Sequence, residues 1–393
     1  MDIFTLEQKG TTYKNGEIVN GLYKKLWVER YLEPGEFTLV GTPTRELRES
    51  LAIGTLISHT NSKEVMIVED QQIEDGQNPV FTVTGRSFDS ILESRVATDS
   101  GLGFNGPNNS GTAPLVLYDQ TAWPYRFEDV TPPELVVELM RDQIGSDTGI
   151  RTTFRIPYIE ISNAITTTYN SEDQDVPRGD LYTQIKDILD GIDAGIKVRR
   201  PDNSHEKIRV IVHKGTNRKD TVRFSYLRGE VTKAKYFWST RNYRNAAYIS
   251  TRYQGQYVVP ASGSGLSGLD RRVMFIDATD VNKGETTAQK NLIKRVLQNR
   301  AKRELRKHRL KTVFEAEISP QNRYEFRKDY DVGDLVYVDG NYDVSAVMRV
   351  TEFVESDEGN GTVGIPTLEA VRVIDEETDS DIDIYTVEEK GGA

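Results

Sequence analysis

The sequence predicts a β-rich α+β chain of several domains, and three observations carry that expectation. Apolar side chains alternate with period two along much of the chain, most clearly at Val336 and Val338 after the turn Asp331-Val332-Gly333-Asp334, and again at Val344, Ala346, Met348 and Val350. Helical spacing with N-terminal caps is confined to a few separate stretches. With 393 residues of which 37% are hydrophobic, the chain suits several small cores better than one large one.

Residues 1–86 read as mostly strand. Leu22 to Leu32 and Glu36 to Val40 are apolar and aromatic, with Glu33-Pro34-Gly35-Glu36 as the turn between them; Glu64 to Val68 and Val80 to Thr84 continue the pattern. Ser87 is placed to cap a short helix with Phe88, Ile91, Leu92 and Val96 on one face. Gly101 to Gly111, rich in Gly, Asn, Ser and Pro, reads as a mobile loop. Thr131-Pro132-Pro133-Glu134 is a capping box with proline at the first helical position; Leu135, Val136, Leu139 and Met140 form its stripe, and Gly145 its stop. Asn170 to Asp175 reads as a polar loop, and Asp180 as the cap of a helix burying Leu181, Ile185, Ile188, Leu189 and Ile192 and ending near Gly195.

Strand patterns return at Ile208–Val212, Val222–Leu227, Tyr236–Ser239, Ala246–Tyr253 and Val273–Ile276. A long basic helix is predicted from Thr286 to Arg309, with Thr286 and Gln289 at capping-box spacing. Its expected buried or subunit-contact face is Leu292, Ile293, Val296, Leu297, Ala301 and Leu305, with Arg300 on the polar side. A β-meander then runs to about Val373, and the acidic end reads as a loosely held tail.

Composition narrows the function classes. There is no cysteine, which removes disulfide and thiolate chemistry. No apolar run approaches the ~18 residues of a membrane span, and Met1-Asp2-Ile3-Phe4-Thr5 lacks a signal-peptide pattern, so the expectation is a soluble chain, folded in the cytoplasm, with no membrane insertion. The net charge of −11 argues against general nucleic-acid binding. It is unevenly spread: Lys290 to Lys311 holds ten Lys or Arg against Glu304 alone, a local +9 that leaves −20 elsewhere. That helix carries an apolar stripe and no aromatic residue, which favours an acidic protein neighbour over nucleic acid. An acidic lumen that lets DNA pass without sticking is the sharper reading of the remainder; a solubilising surface is the plainer one.

Chemical motifs are weak. Gly263-Ser264-Gly265-Leu266-Ser267-Gly268 matches a dinucleotide-loop spacing, but Asp270 to Ile276 just beyond it reads as strand, where a phosphate site needs a helix N-terminus. Asp280-Val281-Asn282-Lys283-Gly284 resembles the start of a calcium loop, yet Glu285 and Asn291 stand where Gly and Glu are required, so a helix-entry turn is the ordinary reading. Asp379, Asp381 and Asp383 could hold a hard cation weakly, with a solvated tail the better reading. His59, His205, His213 and His308 have no zinc-protease spacing, there is no G-x-S-x-G elbow, and no carboxylate pair is singled out. No catalytic, cofactor-binding or metal site is expected.

Four ordered stretches resemble the tail hub proteins of long-tailed phages, relatives of the T-even baseplate hub. They are Leu26-Trp27-Val28-Glu29-Arg30-Tyr31 with Gly35-Glu36-Phe37-Thr38-Leu39; Thr84-Gly85-Arg86-Ser87-Phe88 through Leu92 and Arg95; Lys214-Gly215-Thr216-Asn217-Arg218 with Phe224-Ser225 and Asn245-Ala246-Ala247-Tyr248-Ile249; and Val332-Gly333-Asp334-Leu335-Val336. No match is found at 98–180, which reads as a lineage-specific insertion. The resemblance implies two tail-tube-like β-barrel domains joined by smaller α/β domains. It divides the chain into 1–97 (first tube-like domain with a short helix), 98–205 (inserted helical domain), 206–285 (β-rich part of the second tube-like domain), 286–310 (basic helix), 311–376 (closing meander) and 377–393 (acidic tail).

It also implies a homotrimer at the virion tail tip, assembled in the host cytoplasm. Its expected neighbours are the tail tube or distal tail protein, tip or fibre proteins and the tape measure protein, with DNA passing through its channel. The rival readings are a tail-tip cell-wall hydrolase and a carbohydrate-binding receptor-recognition protein, the latter resting on Trp123, Tyr125 and Phe127 as a stacking platform.

Overall fold

The computed structural model describes residues 1–97, 125–145, 155–177, 179–202, 206–259, 265–281, 286–308, 311–340, 345–359 and 361–374. The expected loop at Gly101 to Gly111, the residues Trp123 and His205, Asn282 to Gly284, and the acidic tail lie outside the described residues.

The N-terminal body contains β1 (Ile3–Lys9), β2 (Thr12–Ile18), β3 (Leu22–Arg30), β4 (Glu36–Gly41), α1 (Arg45–Ser50), β5 (Leu56–His59), β6 (Met66–Glu74) and β7 (Val80–Ser87). Its strands are ordered β3-β4-β7-β6-β5-β1-β2. Alternation is strict in β4 and β7, which turn Phe37, Leu39, Phe81 and Val83 inward to meet Trp27, Ile57 and Met66. Trp27 stacks on Phe37 with ring centroids 6.0 Å apart. After β7 the chain forms a 3-10 helix, Phe88–Ser94, in place of the expected α-helix. Ser87 makes no cap bond, because its hydroxyl instead donates to the buried Asp89 carboxyl and accepts the Gly35 N–H. The tighter winding buries Phe88 and Leu92, but Val96 falls beyond its end and is exposed.

The middle of the chain supplies β8 (Tyr125–Val130), α2 (Pro132–Ile144), β9 (Ile159–Asn163), β10 (Glu172–Val176), α3 (Leu181–Ile192), β11 (Gly195–Arg199) and β12 (Ile208–His213). The Thr131 N–H donates to the Glu134 carboxylate at 3.1 Å, closing one arm of the capping box, and Leu135, Val136, Leu139 and Met140 are buried. Asp180 accepts the Thr183 N–H at 2.7 Å and caps α3. The helix stops at Asp193, held in the left-handed region at φ 57°, whereas Gly195 already belongs to β11. The polar run expected as a loop at Asn170 to Asp175 forms β10 instead, because antiparallel pairing with β8 overrides its low strand propensity. β12 lies between β11 and β9, so the start of the segment expected to open the second tube-like unit completes this middle sheet.

The rest comprises β13 (Arg223–Ser225), β14 (Val231–Ser239), β15 (Ala246–Ser250), β16 (Gly255–Val258), β17 (Val273–Asp277), α4 (Thr287–Lys307), β18 (Lys311–Ile318), β19 (Leu335–Asp339), β20 (Ser345–Asp357) and β21 (Thr362–Ile374). β13 is shorter than its apolar run because Leu227 turns out to solvent, 94% exposed. β15, β16 and β17 form a separate small sheet. β14, β18, β21, β20, β19 and β13 surround a second β core of Phe224, Tyr330, Val336, Val338, Met348, Val350 and Leu368.

The two β bodies are one sheet. β20 pairs with β21 along its length, and residues Glu352 to Asp357 also pair with Lys25 to Arg30 of β3. Among the described residues the path runs open from β14 at one end to β2 at the other, with β19 and β13 branching from β20. The pairings therefore give a β-rich α+β architecture in which no described sheet closes into a barrel.

Candidate assembly surface and interdomain seam

The seam beside the β3–β20 junction is built from charges that three regions contribute. Arg327 donates to Glu29 of β3 at 2.8 Å and to Glu355 of β20 at 2.9 Å. Glu29 also accepts a short hydrogen bond from the Ser62 hydroxyl and lies 3.9 Å from Arg199 of β11. Arg199 reaches Glu64 at 3.3 Å and Asp331 at 3.2 Å, and Lys197 reaches Asp331 at 2.7 Å. Burial by itself would push the Glu29 carboxyl up, but Arg327, Arg199 and Ser62 together hold it down at about 2. His59 stands 3.7 Å from Glu355, yet burial and then Arg327 depress it to about 3, so the imidazole is neutral.

A second knot lies under the Gly333 turn. Gly333 has φ +94°, and a Cβ there would sit 2.6 Å from the Tyr31 ring. Gly215 has φ +69°, and a Cβ there would meet the Gly333 carbonyl oxygen at 1.9 Å. Asp334 accepts the Thr216 N–H at 2.7 Å and pairs with Arg218 at 3.0 Å. Arg349 lies 4.7 Å over the Tyr31 ring and donates to the carbonyls of Lys214 and Gly333 and to the Asp193 carboxylate. The phenol of Tyr31 donates to the Asp193 carbonyl at 3.0 Å. Burial, then Lys197, Arg199 and Arg349, hold the nearby His213 well below the usual imidazole range. Apart from His213 Nε2 and the Nε atoms of Arg327 and Arg349, which meet no hydrogen-bond partner among the described residues, these groups are spent on one another. The arrangement locks three regions together, and among the described residues no cluster of His, Asp or Glu is placed to hold a metal ion.

The long basic helix has a different role. Ile293, Leu297, Ala301 and Leu305 are buried against Ala247, Ile249, Val258 and Ile276 of the small sheet. Val296 is fully buried as well, and the side chain of Leu292 lies outside the described residues. Arg300, expected on the polar face, is buried and forks onto Asp280 at 2.8 and 2.9 Å. The reason is that α4 is covered on more than one side. Lys307 pairs with Asp187 of α3 at 2.7 Å, and Arg303 lies within 3.5 Å of the Gln174 side chain on β10. Asp280, from the stretch that resembled a calcium loop, is thus the partner of a buried guanidinium.

The opposite face of the small sheet was not singled out in the sequence. Tyr248 of β15 pairs in register with Tyr257 of β16 and Phe275 of β17. The three rings form a row, with centroid separations of 4.8 and 6.2 Å. Tyr257 is 69% and Phe275 66% exposed. The signal was present in the phase of the alternation, since Tyr248, Tyr257 and Phe275 occupy the positions opposite Ile249, Val258 and Ile276. By contrast, Phe127, weighed as part of a sugar platform, packs against the core of the middle domain. The glycine-rich run near Gly268 leads into a 3-10 turn and then β17, so its successor is a strand rather than a helix N-terminus.

Comparison with known proteins gives three findings. The family model described as Siphovirus ReqiPepy6 Gp37-like protein matches residues 125–368. No curated protein matches the chain. Among solved structures, the 43 kDa tail protein of prophage MuSo2 from Shewanella oneidensis is similar over 94% of this chain and 98% of its own, at 13% identity and a TM-score of 0.53. The tail protein from Neisseria meningitidis MC58 is similar over 94% and 97%, at 12% identity and a TM-score of 0.51. These likenesses concern the fold.

Proposed function

Because the chain belongs to the Siphovirus ReqiPepy6 Gp37-like protein family, we propose that it is a structural virion protein, a trimeric tail hub. In this reading it connects the six-fold tail tube to a three-fold tail tip and lines the channel through which DNA leaves. The observation that carries it is the β3–β20 pairing, which joins two β bodies of one chain edge to edge. Each body acts as a tube-like unit, so three chains supply six units around an axis while the middle domain and the small sheet keep three-fold symmetry. A ring closed this way uses contacts between unlike patches and pairs or covers strand edges that stay open among the described residues, such as β14.

The charge-locked seam supports the same reading, since a connector must keep its two units in fixed register. Its neighbours would be the tail tube or distal tail protein, the tape measure protein, and tip or fibre proteins. The role is non-enzymatic, in keeping with a seam whose acids and bases are paired internally. Counting copies at the tail end by electron microscopy of assembled particles tests the proposal. Three copies per tail are expected; two or four would overturn it.

A further inference from the structure

The large sheet holds two runs of four strands, β14-β18-β21-β20 and β3-β4-β7-β6, joined where β20 meets β3. Every pairing along these eight strands is antiparallel. Among the described residues both outer edges of the eight are open. β14 pairs with β18 alone, and its Lys233, Lys235 and Phe237 are exposed. β5 takes up only Met66 and Ile67 of β6, and Val68 bonds to Gly54 and Thr55, so residues 70–74 pair with β7 alone and are exposed. Open edges of this length invite another strand.

The two edges match in face and charge. Lys233 and Lys235 alternate with Ala234, which packs against the second β core, so the lysines lie on the free face of the sheet. The row through Lys233 continues through Glu317, Thr367 and Glu352 to Arg30. Asp70, Gln72 and Glu74 lie opposite Thr84, Thr82 and Val80, on the side away from the buried Phe81 and Val83, which is the same free face. Asp70 makes no ion pair among the described residues, and Lys233 holds only the exposed Glu317. At the internal junction this face carries cross-strand pairs of the same kind, Arg30 with Glu352 at 2.8 Å and with Glu36 at 2.7 Å.

The strands are also staggered. The row through Lys233 enters β3 at its last residue, Arg30. The row through Val68, Gly85, Phe37 and Trp27 crosses Glu355 and Gly364 and passes beyond the end of β18. The drift is about one residue per strand, the shear with which tilted strands close on themselves.

We propose that residues 70–74 of one copy add antiparallel to β14 of the next copy of this chain, repeating between chains the junction that β3 and β20 make within one. The inference rests on the ring reading given above and assigns its subunit contact. Carrying the drift one strand further sets Gln72 opposite Lys235 and Glu74 opposite Lys233, an even offset that keeps both cores on one side of the sheet.

The chain contains no cysteine, so paired cysteines report on this contact alone. In assembled tails carrying Gln72→Cys/Lys235→Cys, both exposed positions, mild oxidation should convert the protein into a covalent trimer. The offset pair Asp70→Cys/Lys233→Cys, about 13 Å out of step along the strands in that register, should stay uncoupled. Three copies per tail without the 72–235 disulfide would leave the ring reading standing and overturn the strand pairing. Equal coupling of both pairs would overturn the register and with it the proposal. A copy number other than three would overturn both readings.

Discussion

Replacing Arg327 by methionine should unlock the seam. The guanidinium forks between Glu29 and Glu355 at 2.8 and 2.9 Å, and these carboxylates belong to residues only 3% and 4% exposed. With an effective dielectric of ~20 and charge centres ~4 Å apart, each pair is worth about 4 kcal/mol before desolvation is subtracted. Methionine fills much of the volume but removes both partners at once. Glu29 keeps the Ser62 hydroxyl and a distant Arg199, while Glu355 is left with His59 at 3.7 Å in place of the guanidinium. Breaking a buried pair on one side costs about 3–5 kcal/mol, and that is the expected loss in urea-unfolding free energy. The same loss should be largely recovered in Arg327→Met/Glu29→Gln/Glu355→Gln, because the desolvated charges then disappear together. Arg327→Lys should fall between, since an ammonium cannot fork across two carboxylates. A single variant within about 1 kcal/mol of the parent, or a triple variant no better than the single, would show that these acids do not depend on Arg327 for their charge.

Leu297→Asp should prevent the small sheet and α4 from folding, because it puts an unpaired carboxylate at a fully buried position; a soluble protein with unchanged melting would refute this. Arg300→Glu should cost about 3–5 kcal/mol by setting two acids against each other where Arg300 now pairs with Asp280, read by chemical unfolding. Asp89 is pushed up from the ordinary 3.8 to about 6 by burial, against the Ser87 hydrogen bond. The folded state therefore binds that proton more tightly than the unfolded chain, and its stabilisation is complete below about pH 4 and lost as pH rises through 6. The stability of Asp89→Asn relative to the parent should rise between those limits, and a constant difference across that range would contradict the assignment. Gly215→Ala should destabilise by about 1–3 kcal/mol from backbone strain, with a further loss from the clash with the Gly333 carbonyl, measurable as a lowered Tm.

What the sequence revealed was local in origin. The helices at 132–144 and 181–192 were legible because caps and stripes lie within a few residues of each other. β10 was not, since Glu172 to Val176 becomes a strand only through β8, some forty residues earlier. The left-handed stop at Asp193 was hidden because an aspartate took the conformation for which Gly195 seemed the natural candidate. Arg300 looked like a surface charge because its partner Asp280 is 20 residues upstream and its burial depends on the packing of α4 against neighbouring elements. Within the expected face of α4, Ile293, Val296, Leu297, Ala301 and Leu305 are buried, but the exposed row of Tyr248, Tyr257 and Phe275 required knowing which side of the sheet the helix covers.

The pairing of β3 with β20 also sets a schedule for biosynthesis. Arg30 and its partner Glu352 are 322 residues apart, so at ~5–20 residues per second the ribosome needs about 16–65 s between making one and the other. During that interval the outer edge of β3 has its neighbour β4 on one side and nothing of its own chain on the other. It carries Leu26, Trp27 and Val28 in a β-prone run, the kind of open edge that captures other nascent chains. Lys24, Lys25 and Arg30 flank that run, and their charges would repel a second copy in the same register until β20 arrives.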